Sequence, residues 1–177
     1  MGRQKLLLEL RGKPIVRWSA ERLAAHVDDL VVVTGHDAAA VERALAGLPA
    51  RFVSNPRPED GQGSSIAVGA RALDRETAAV FVALADQPDV PDEVFRRLRV
   101  ALRDGHRSIA APAYRNGQGT PVLFAADVFP ELQDLGGDAG ARSVVRARPE
   151  RLHLERFDFA MPGDIDTPED YARLHVE

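Results

Sequence analysis

The sequence predicts a single α/β domain built on a mainly parallel sheet with helices on both faces. Two continuous apolar runs, 30–34 and 80–84, have the length and composition of strands that are covered on both faces. Segments with apolar residues at helical spacing alternate with such runs, as in parallel βαβ units. The later strands are less regularly interleaved with helices, so we also expect one antiparallel edge strand. A length of 177 residues suits one domain over residues 1–177.

The remaining elements follow from local signals along the chain. Pro14 and Pro91 suit the first position of a helix, where a backbone N–H has no partner to lose. Thr167 and Asp170 have the spacing of a capping pair for a last helix. In chain order we expect helices from Pro14, over 38–48, over 65–73, from Pro91, over 139–146 and from Thr167, and further strands over 51–53, 108–111, 121–124 and 152–154.

Composition excludes several classes of function. With 23 basic and 27 acidic residues the net charge is −4, which gives no electrostatic reason to expect a nucleic-acid polymer or an anionic membrane as partner. The chain has no cysteine, so disulfides and thiolate metal sites are impossible, as is common in cytoplasmic proteins. No apolar run approaches the roughly 20 residues that span a bilayer.

The polar residues that follow the strand 80–84 are the most informative. Asp86, in Asp86-Gln87-Pro88, is expected at the carboxyl edge of the sheet, where open α/β folds bind ligands. Asp164 follows a turn near the end of the chain. Mg²⁺ takes only one or two protein carboxylates beside water and substrate phosphates, so Asp86 and Asp164 suffice for a metal site. Either residue could instead be part of an ordinary turn.

Two further features could bind a nucleotide. The loop Gly61-Gln62-Gly63-Ser64-Ser65 joins a strand to a helix, and its glycines let backbone approach a ligand closely. Free N–H groups at the start of that helix favour an anion or a polar ring edge. Lys5 could place its ammonium on triphosphate oxygens. The alternatives are a turn with a serine cap and a solvated surface lysine.

Two other glycine-rich loops could shape a pocket for a second substrate. They are the loop 117–121, which contains Gly119, and the loop 136–142, which contains Asp138 and Arg142. The Arg142 guanidinium could bind a phosphate with two parallel hydrogen bonds. Both loops could equally be turns that precede a strand or a helix. The histidines show no metal-ligand spacing.

Taken together, these motifs resemble the MobA-like nucleotidyltransferases, most closely the branch of the molybdenum cofactor cytidylyltransferases. The resemblance covers essentially the whole chain. It rests on Met1-Gly2-x-x-Lys5-Leu6-Leu7-Leu8, Gly12-Lys13-Pro14, Gly61-Gln62-Gly63-Ser64-Ser65, Asp86-Gln87-Pro88, Gly119-x-Pro121-Val122-Leu123-Phe124, Gly137-Asp138-x-Gly140-Ala141-Arg142 and Asp164-Ile165-Asp166-Thr167-Pro168-Glu169-Asp170.

This resemblance implies a Rossmann-like nucleotidyltransferase fold and Mg²⁺-dependent transfer of a nucleotide from CTP to the phosphate of a molybdopterin-type cofactor, with release of pyrophosphate. It implies a molybdoenzyme or its maturation chaperone as a partner. It assigns catalysis to Lys5 and Asp86, nucleotide binding to the loop 61–65 and metal binding to Asp86 and Asp164. Acceptor binding is assigned to Gly119, Asp138, Arg142 and Asp166.

The family opens with a strand and a loop of the type Leu-Ala-Ala-Gly-x-Ser-x-Arg, of which only the end matches the segment from Met1 to Lys5. We therefore expect the strand and the rest of that loop to be encoded upstream of Met1; the alternative is that the chain is a truncated, inactive copy of the family.

Other functions remain open at this stage. The acceptor could be a sugar phosphate or a phospholactate, or the chain could hold a cofactor for a partner without catalysis. An oxidoreductase on the same scaffold is a further alternative, but it needs a dinucleotide site, and no Gly-x-Gly-x-x-Gly follows a strand.

Overall fold

A computed structural model gives the fold, and it describes residues 5–165 together with Thr167, Asp170 and Tyr171. Short strands and helices alternate along the chain, as the sequence predicts. The strands are β1 (Glu9–Leu10), β2 (Lys13–Pro14), β3 (Leu30–Thr34), β4 (Ala50–Ser54), β5 (Ala79–Val82), β6 (Ile109–Tyr114), β7 (Gly117–Gln118), β8 (Val122–Ala125) and β9 (Leu152–Arg156). The helices are α1 (Ile15–Ala24), α2 (Ala38–Ala44), α3 (Gln62–Arg71), α4 (Asp92–Asp104), α5 (Phe129–Gln133) and α6 (Ala141–Ala147).

Helix boundaries differ from the expectation by a few residues, and one difference matters for function. Pro14 and Pro91 precede α1 and α4 as N-caps with extended backbone, so each helix begins one residue later than expected. Helix α3 begins at Gln62, three residues earlier than expected, because Gly61 makes the turn with a φ of +91°. The residues Gly63 to Ser65 therefore lie in the first turn of α3.

The principal sheet runs in the order β5, β8, β6, β9. Strands β6 and β9 are parallel, while β8 is antiparallel to both β5 and β6, so β5, β6 and β9 all point the same way. The connection 115–121 between β6 and β8 is shorter than the dozen or so residues that a parallel crossover needs, so β8 returns antiparallel. Strand β7 adds a short antiparallel pairing to the other end of β6.

Strands β3 and β5 face each other across an apolar slot. β3 pairs in parallel with β4 in a separate two-stranded sheet. The slot has a volume of about 290 Å³, is lined by β3, β5, α1 and α3, and extends at one end to Gln62 and Ala85. The middle of β3 and the whole of β5 are only half-buried, because their edges face the slot.

Helices cover both faces of the principal sheet. On one face α3, α5 and α6 pack on Ile109 and Phe124, and on the other α4 packs on Ala110 and Leu123. Adjacent residues of β6 and β8 thus point to opposite cores, as the alternation of a strand requires. Among the described residues, no helix combines the length and apolarity needed to cross a bilayer.

Candidate active site

The two residues predicted to be catalytic meet at the carboxyl end of β5. Asp86 follows that strand, and its Oδ2 accepts a hydrogen bond from the Lys5 Nζ at 2.6 Å. Lys5 begins a short 3₁₀ turn, Lys5–Leu7, that packs against α1. The side chains are 32% and 18% exposed, so the pair is open to a ligand and partly shielded from water.

Asp164 is brought to the same edge by the backbone next to it. The Ile165 N–H donates to the Asp86 carbonyl oxygen at 3.3 Å. The Ile165 side chain is fully buried in a cluster with Leu10 and Ile15, which fixes the segment from the core side. The structure thus brings Asp86 and Asp164 onto adjoining stretches of backbone. Asp166, predicted to bind the acceptor, lies outside the described residues.

These carboxylates suit a hard divalent cation. Within the described residues, no three His, Asp or Glu side chains cluster as a metal site would. Two carboxylates without nitrogen or sulfur ligands fit Mg²⁺ or Mn²⁺. These ions bind with few protein ligands when water and phosphate oxygens complete their coordination shell. The donor set therefore fits a metal that is shared with a phosphorylated substrate.

The loop predicted to bind the nucleotide is held by Asn55, a residue that directly follows β4. The Asn55 side chain is only 4% exposed, and its Nδ2 donates to the hydroxyl oxygens of Ser64 at 2.8 Å and Ser65 at 3.1 Å. The Ser64 hydroxyl in turn donates to the Gly61 carbonyl at 2.8 Å. The hydroxyl groups in the first turn of α3 are therefore ordered by a buried amide.

The loops 61–65 and 136–142 pack directly against each other. The Gly63 N–H donates to the Gly137 carbonyl at 2.8 Å. A Cβ at Gly63 would lie 2.7 Å from the Gly136 carbonyl oxygen, and one at Gly61 would lie 2.6 Å from the Asp138 Oδ1. Only glycine allows this approach. The loop predicted for the nucleotide and the one predicted for the acceptor thus form a continuous surface, which carries Asp138 and, at the start of α6, the exposed Arg142.

The loop 117–121 is exposed at Gly117 and Gln118 and buried from Gly119 onward. Gly119 is buried, and a Cβ there would lie 2.8 Å from the Tyr114 ring and would also meet the Met161 sulfur. The Tyr114 hydroxyl donates to the Thr120 carbonyl at 2.8 Å, and burial raises the pKa of this phenol. Gly119 therefore permits close packing of the loop, and it is Thr120 that points toward Gln87.

Sequence reasoning gave no separate role to Asn55, Gln87 or Thr120. Each is a buried polar residue, and buried polar groups must find partners. Asn55 directly follows β4, and Asp86 comes shortly after β5, so a position at the end of a strand was the signal that could have identified Asn55. Nothing in the spacing of Gln87 and Thr120 indicates that they touch.

Comparison with known proteins identifies the family. Residues 1–153 match the model of the MobA-like NTP transferase domain. The nicotine blue oxidoreductase of Paenarthrobacter nicotinovorans is 33% identical, over 96% of this chain and 87% of that protein. The molybdenum cofactor guanylyltransferase of Cereibacter sphaeroides is 34% identical, over 97% of this chain and 86% of that protein.

A similar solved structure is that of Rv0371c from Mycobacterium tuberculosis H37Rv in complex with manganese. It is 28% identical, has a TM-score of 0.83, and the match covers 99% of this chain and 94% of that chain. The chain therefore belongs to the MobA-like NTP transferase family and is a nucleotidyltransferase with that family's Rossmann-like α/β fold.

Proposed function

We propose that the protein transfers a nucleotide from a nucleoside triphosphate, preferably CTP, to the phosphate of a molybdopterin-type cofactor. The observation that carries this proposal is the Lys5–Asp86 pair beside Asp164, at the strand edge where α/β folds bind ligands. We place the nucleotide at the loop 61–65, where N–H groups at the start of α3 other than that of Gly63, which already donates to Gly137, would bind it.

The reaction needs alignment and charge neutralisation rather than covalent help from the protein. An oxygen of the acceptor phosphate attacks the α-phosphorus, the bond from that phosphorus to the β-phosphate oxygen breaks, and pyrophosphate leaves. The acceptor phosphate is already anionic near neutral pH, so no strong base has to remove a proton. This agrees with the chemistry of the two candidate catalytic residues, a lysine and an aspartate.

Asp86 and Asp164 would hold the divalent cation, Mg²⁺ in our proposal, which neutralises negative charge on the phosphates when it is bound. The Lys5 ammonium, which pairs with Asp86 at 2.6 Å, would turn toward the triphosphate once Asp86 holds the cation. Arg142 and Asp138 border the surface on which we place the acceptor. The family resemblance assigns Asp166 to acceptor binding as well. Binding of both substrates thus replaces an ion pair within the protein by contacts to ligands.

The donor and acceptor are proposed from the family resemblance and from relatives. One relative is named as a guanylyltransferase of the molybdenum cofactor, so the nucleotide has to be tested with both GTP and CTP. A molybdoenzyme or its maturation chaperone would receive the product, and we place the reaction in the cytoplasm, where nucleoside triphosphates are abundant.

A redox function is the second candidate, because one relative at 33% identity is named as an oxidoreductase. Transfer to a sugar phosphate or a phospholactate is a third, and cofactor binding without catalysis a fourth. A panel of nucleotides and acceptors assayed for pyrophosphate separates them. Only nucleotidyl transfer releases pyrophosphate in proportion to product.

We further propose that an additional strand, encoded ahead of Met1, fills the slot between β3 and β5 in the active protein. Such a strand would run parallel to β3, with α1 as the crossover helix between them. It would leave the slot at the end lined by Gln62 and Ala85, close to the Lys5–Asp86 pair. A strand in this position would complete one sheet from two.

The metal assignment is tested by replacing the carboxylates in a form that carries the preceding strand. Asp86→Ala should abolish pyrophosphate release and leave the melting temperature nearly unchanged, because this edge carboxylate serves a ligand and not the core. Asp164→Ala should do nearly the same. Asp89→Ala is the matched control, since Asp89 lies in the same loop and pairs with Arg11 instead. Unchanged turnover of the Asp86 variant at limiting Mg²⁺ would refute the assignment.

A further inference from the structure

The Gln87 side chain connects the candidate metal site to the loop 117–121. It is 4% exposed and lies between Asp86 and the fully buried Pro88. Its Nε2 donates to the Asp164 Oδ1 at 2.5 Å, and its Oε1 accepts a hydrogen bond from the Thr120 hydroxyl. The amide is thus used at both ends, by two segments that are distant in sequence.

The orientation of this amide is fixed by chemistry. An ionised carboxylate only accepts hydrogen bonds, so the NH₂ end must face Asp164 and the oxygen must face Thr120. The Thr120 hydroxyl can donate to that oxygen, and Thr120 is itself held because the Tyr114 hydroxyl donates to its carbonyl. A reversed amide would place two acceptors in contact at Asp164.

Asp164 lies outside the helices and strands of the described residues, so its side chain is positioned by tertiary contacts such as the bond to Gln87. It lies in an irregular stretch that follows β9, and the Ile165 N–H ties the backbone of that stretch to the Asp86 loop. A carboxylate on irregular backbone samples several positions unless its side chain is tied, and metal affinity depends on keeping it in place.

We propose that Gln87 is a positioning residue that holds the Asp164 carboxylate for the divalent cation and couples that site to the loop 117–121. This inference rests on the proposed function, in which Asp164 is a metal ligand. Residues that orient metal ligands typically change metal affinity by about 10- to 100-fold when they are removed. Gln87 does not itself contact substrate or metal.

The test measures Mn²⁺ binding to the 177-residue chain, by the electron paramagnetic resonance signal of free Mn²⁺, without any turnover. Gln87→Met keeps the length and volume of the side chain and removes both hydrogen bonds, and we expect it to weaken Mn²⁺ binding by about tenfold. Thr120→Val is the matched control: it removes one buried bond of the same network without touching Asp164, and it should weaken binding by clearly less.

A double-mutant cycle shows whether Gln87 acts through Asp164. In the Asp164→Ala background, Gln87→Met should cause no further loss of Mn²⁺ affinity, because the group that it positions is gone. If the two losses multiply, or if Thr120→Val is as damaging as Gln87→Met, the positioning role is refuted.

The cycle also separates this inference from the proposed function. If Asp164→Ala leaves Mn²⁺ binding unchanged, the metal site itself is misassigned. If Asp164→Ala weakens binding and Gln87→Met does not, only the role of Gln87 fails. Circular dichroism and thermal unfolding verify that each variant folds. Should Gln87→Met unfold, Gln87→Asn retains the amide, shortens its reach, and is expected to weaken Mn²⁺ binding similarly.

Discussion

Filling the slot between β3 and β5 should stabilise the protein strongly. The perturbation is an extension that starts upstream of Met1 and supplies about five apolar residues in extended conformation. Burying about five apolar side chains at roughly 1.5 kcal/mol each, the lower end of the range because the slot is partly open, gives about 7.5 kcal/mol of unfolding free energy. Ordering the strand costs about 1–2 kcal/mol per residue. Its new backbone hydrogen bonds, about two per residue at about 1 kcal/mol each, offset that cost.

Equilibrium unfolding in urea measures the difference between the 177-residue chain and the extended protein. The control is an extension of equal length in which two strand residues are replaced by proline, because proline cannot donate to a sheet ladder. Hydrogen exchange supplies the local readout: amides of β3 and β5 that face the slot should exchange fast in the short chain and slowly in the extended one.

Equal stability of the extended protein and its proline control would refute the proposed strand. The same conclusion would follow if the slot-facing amides of β5 in the short chain were already as protected as those of β8. A stop codon immediately before Met1, with no frameshift restoring a strand and a glycine-rich loop, would remove the source that we propose.

Three further predictions concern the nucleotide site. The short chain should bind CTP weakly and distinguish it poorly from GTP, while the extended protein should prefer CTP, because base-edge hydrogen bonds discriminate only when their partners are fixed. Calorimetric titration of both forms with CTP and GTP in the presence of Mg²⁺ measures these affinities. Tight, CTP-selective binding by the short chain would contradict the prediction. Gly63→Ala should weaken nucleotide binding much more than Gly136→Ala. A Cβ at position 63 would lie 2.7 Å from the Gly136 carbonyl oxygen, whereas a Cβ at position 136 would meet nothing within 4 Å. Equal nucleotide affinities of the two variants would show that the close contact between the loops 61–65 and 136–142 does not matter for binding. Asn55→Ala should lower the unfolding free energy by about 1–3 kcal/mol, the cost of leaving buried polar groups without partners, and should also weaken nucleotide binding. Urea unfolding measures the first effect and calorimetry the second. A substitution that changes neither would show that the order of Ser64 and Ser65 does not depend on Asn55.

The alternation of strands and helices could be predicted from the sequence because it depends on local patterns. The run 30–34 coincides with β3, and the spacing of Thr167 and Asp170 appears as a reciprocal cap, with the Asp170 N–H donating to the Thr167 hydroxyl at 3.1 Å. The expected antiparallel edge strand is confirmed by β7, but the antiparallel position of β8 between β5 and β6 was not predicted. It depends on which strands pair, and apolar runs do not encode their partners.

The candidate site was predictable in part, for a related reason. Asp86 lies where the end of an apolar strand indicated, because strand ends mark a sheet edge. Gly119 was expected to border the acceptor, but its surroundings are the Tyr114 ring and Met161, a contact that only tertiary packing creates. The bond from Gln87 to Asp164 joins residues 77 positions apart, and no local pattern reports it.

The candidate site is assembled from segments that only the complete fold brings together. Lys5 and Asp86 are 81 positions apart, and Gln87 and Asp164 are 77 apart. Closing such long loops is entropically unfavourable unless packing elsewhere compensates. That compensation comes from the buried cluster of Leu10, Ile15 and Ile165, which joins the beginning of the described chain to its end directly behind the carboxylates. The geometry of Asp164 therefore depends on core packing as well as on its own hydrogen bonds, and a cavity made in this cluster would disturb the proposed metal site without touching it.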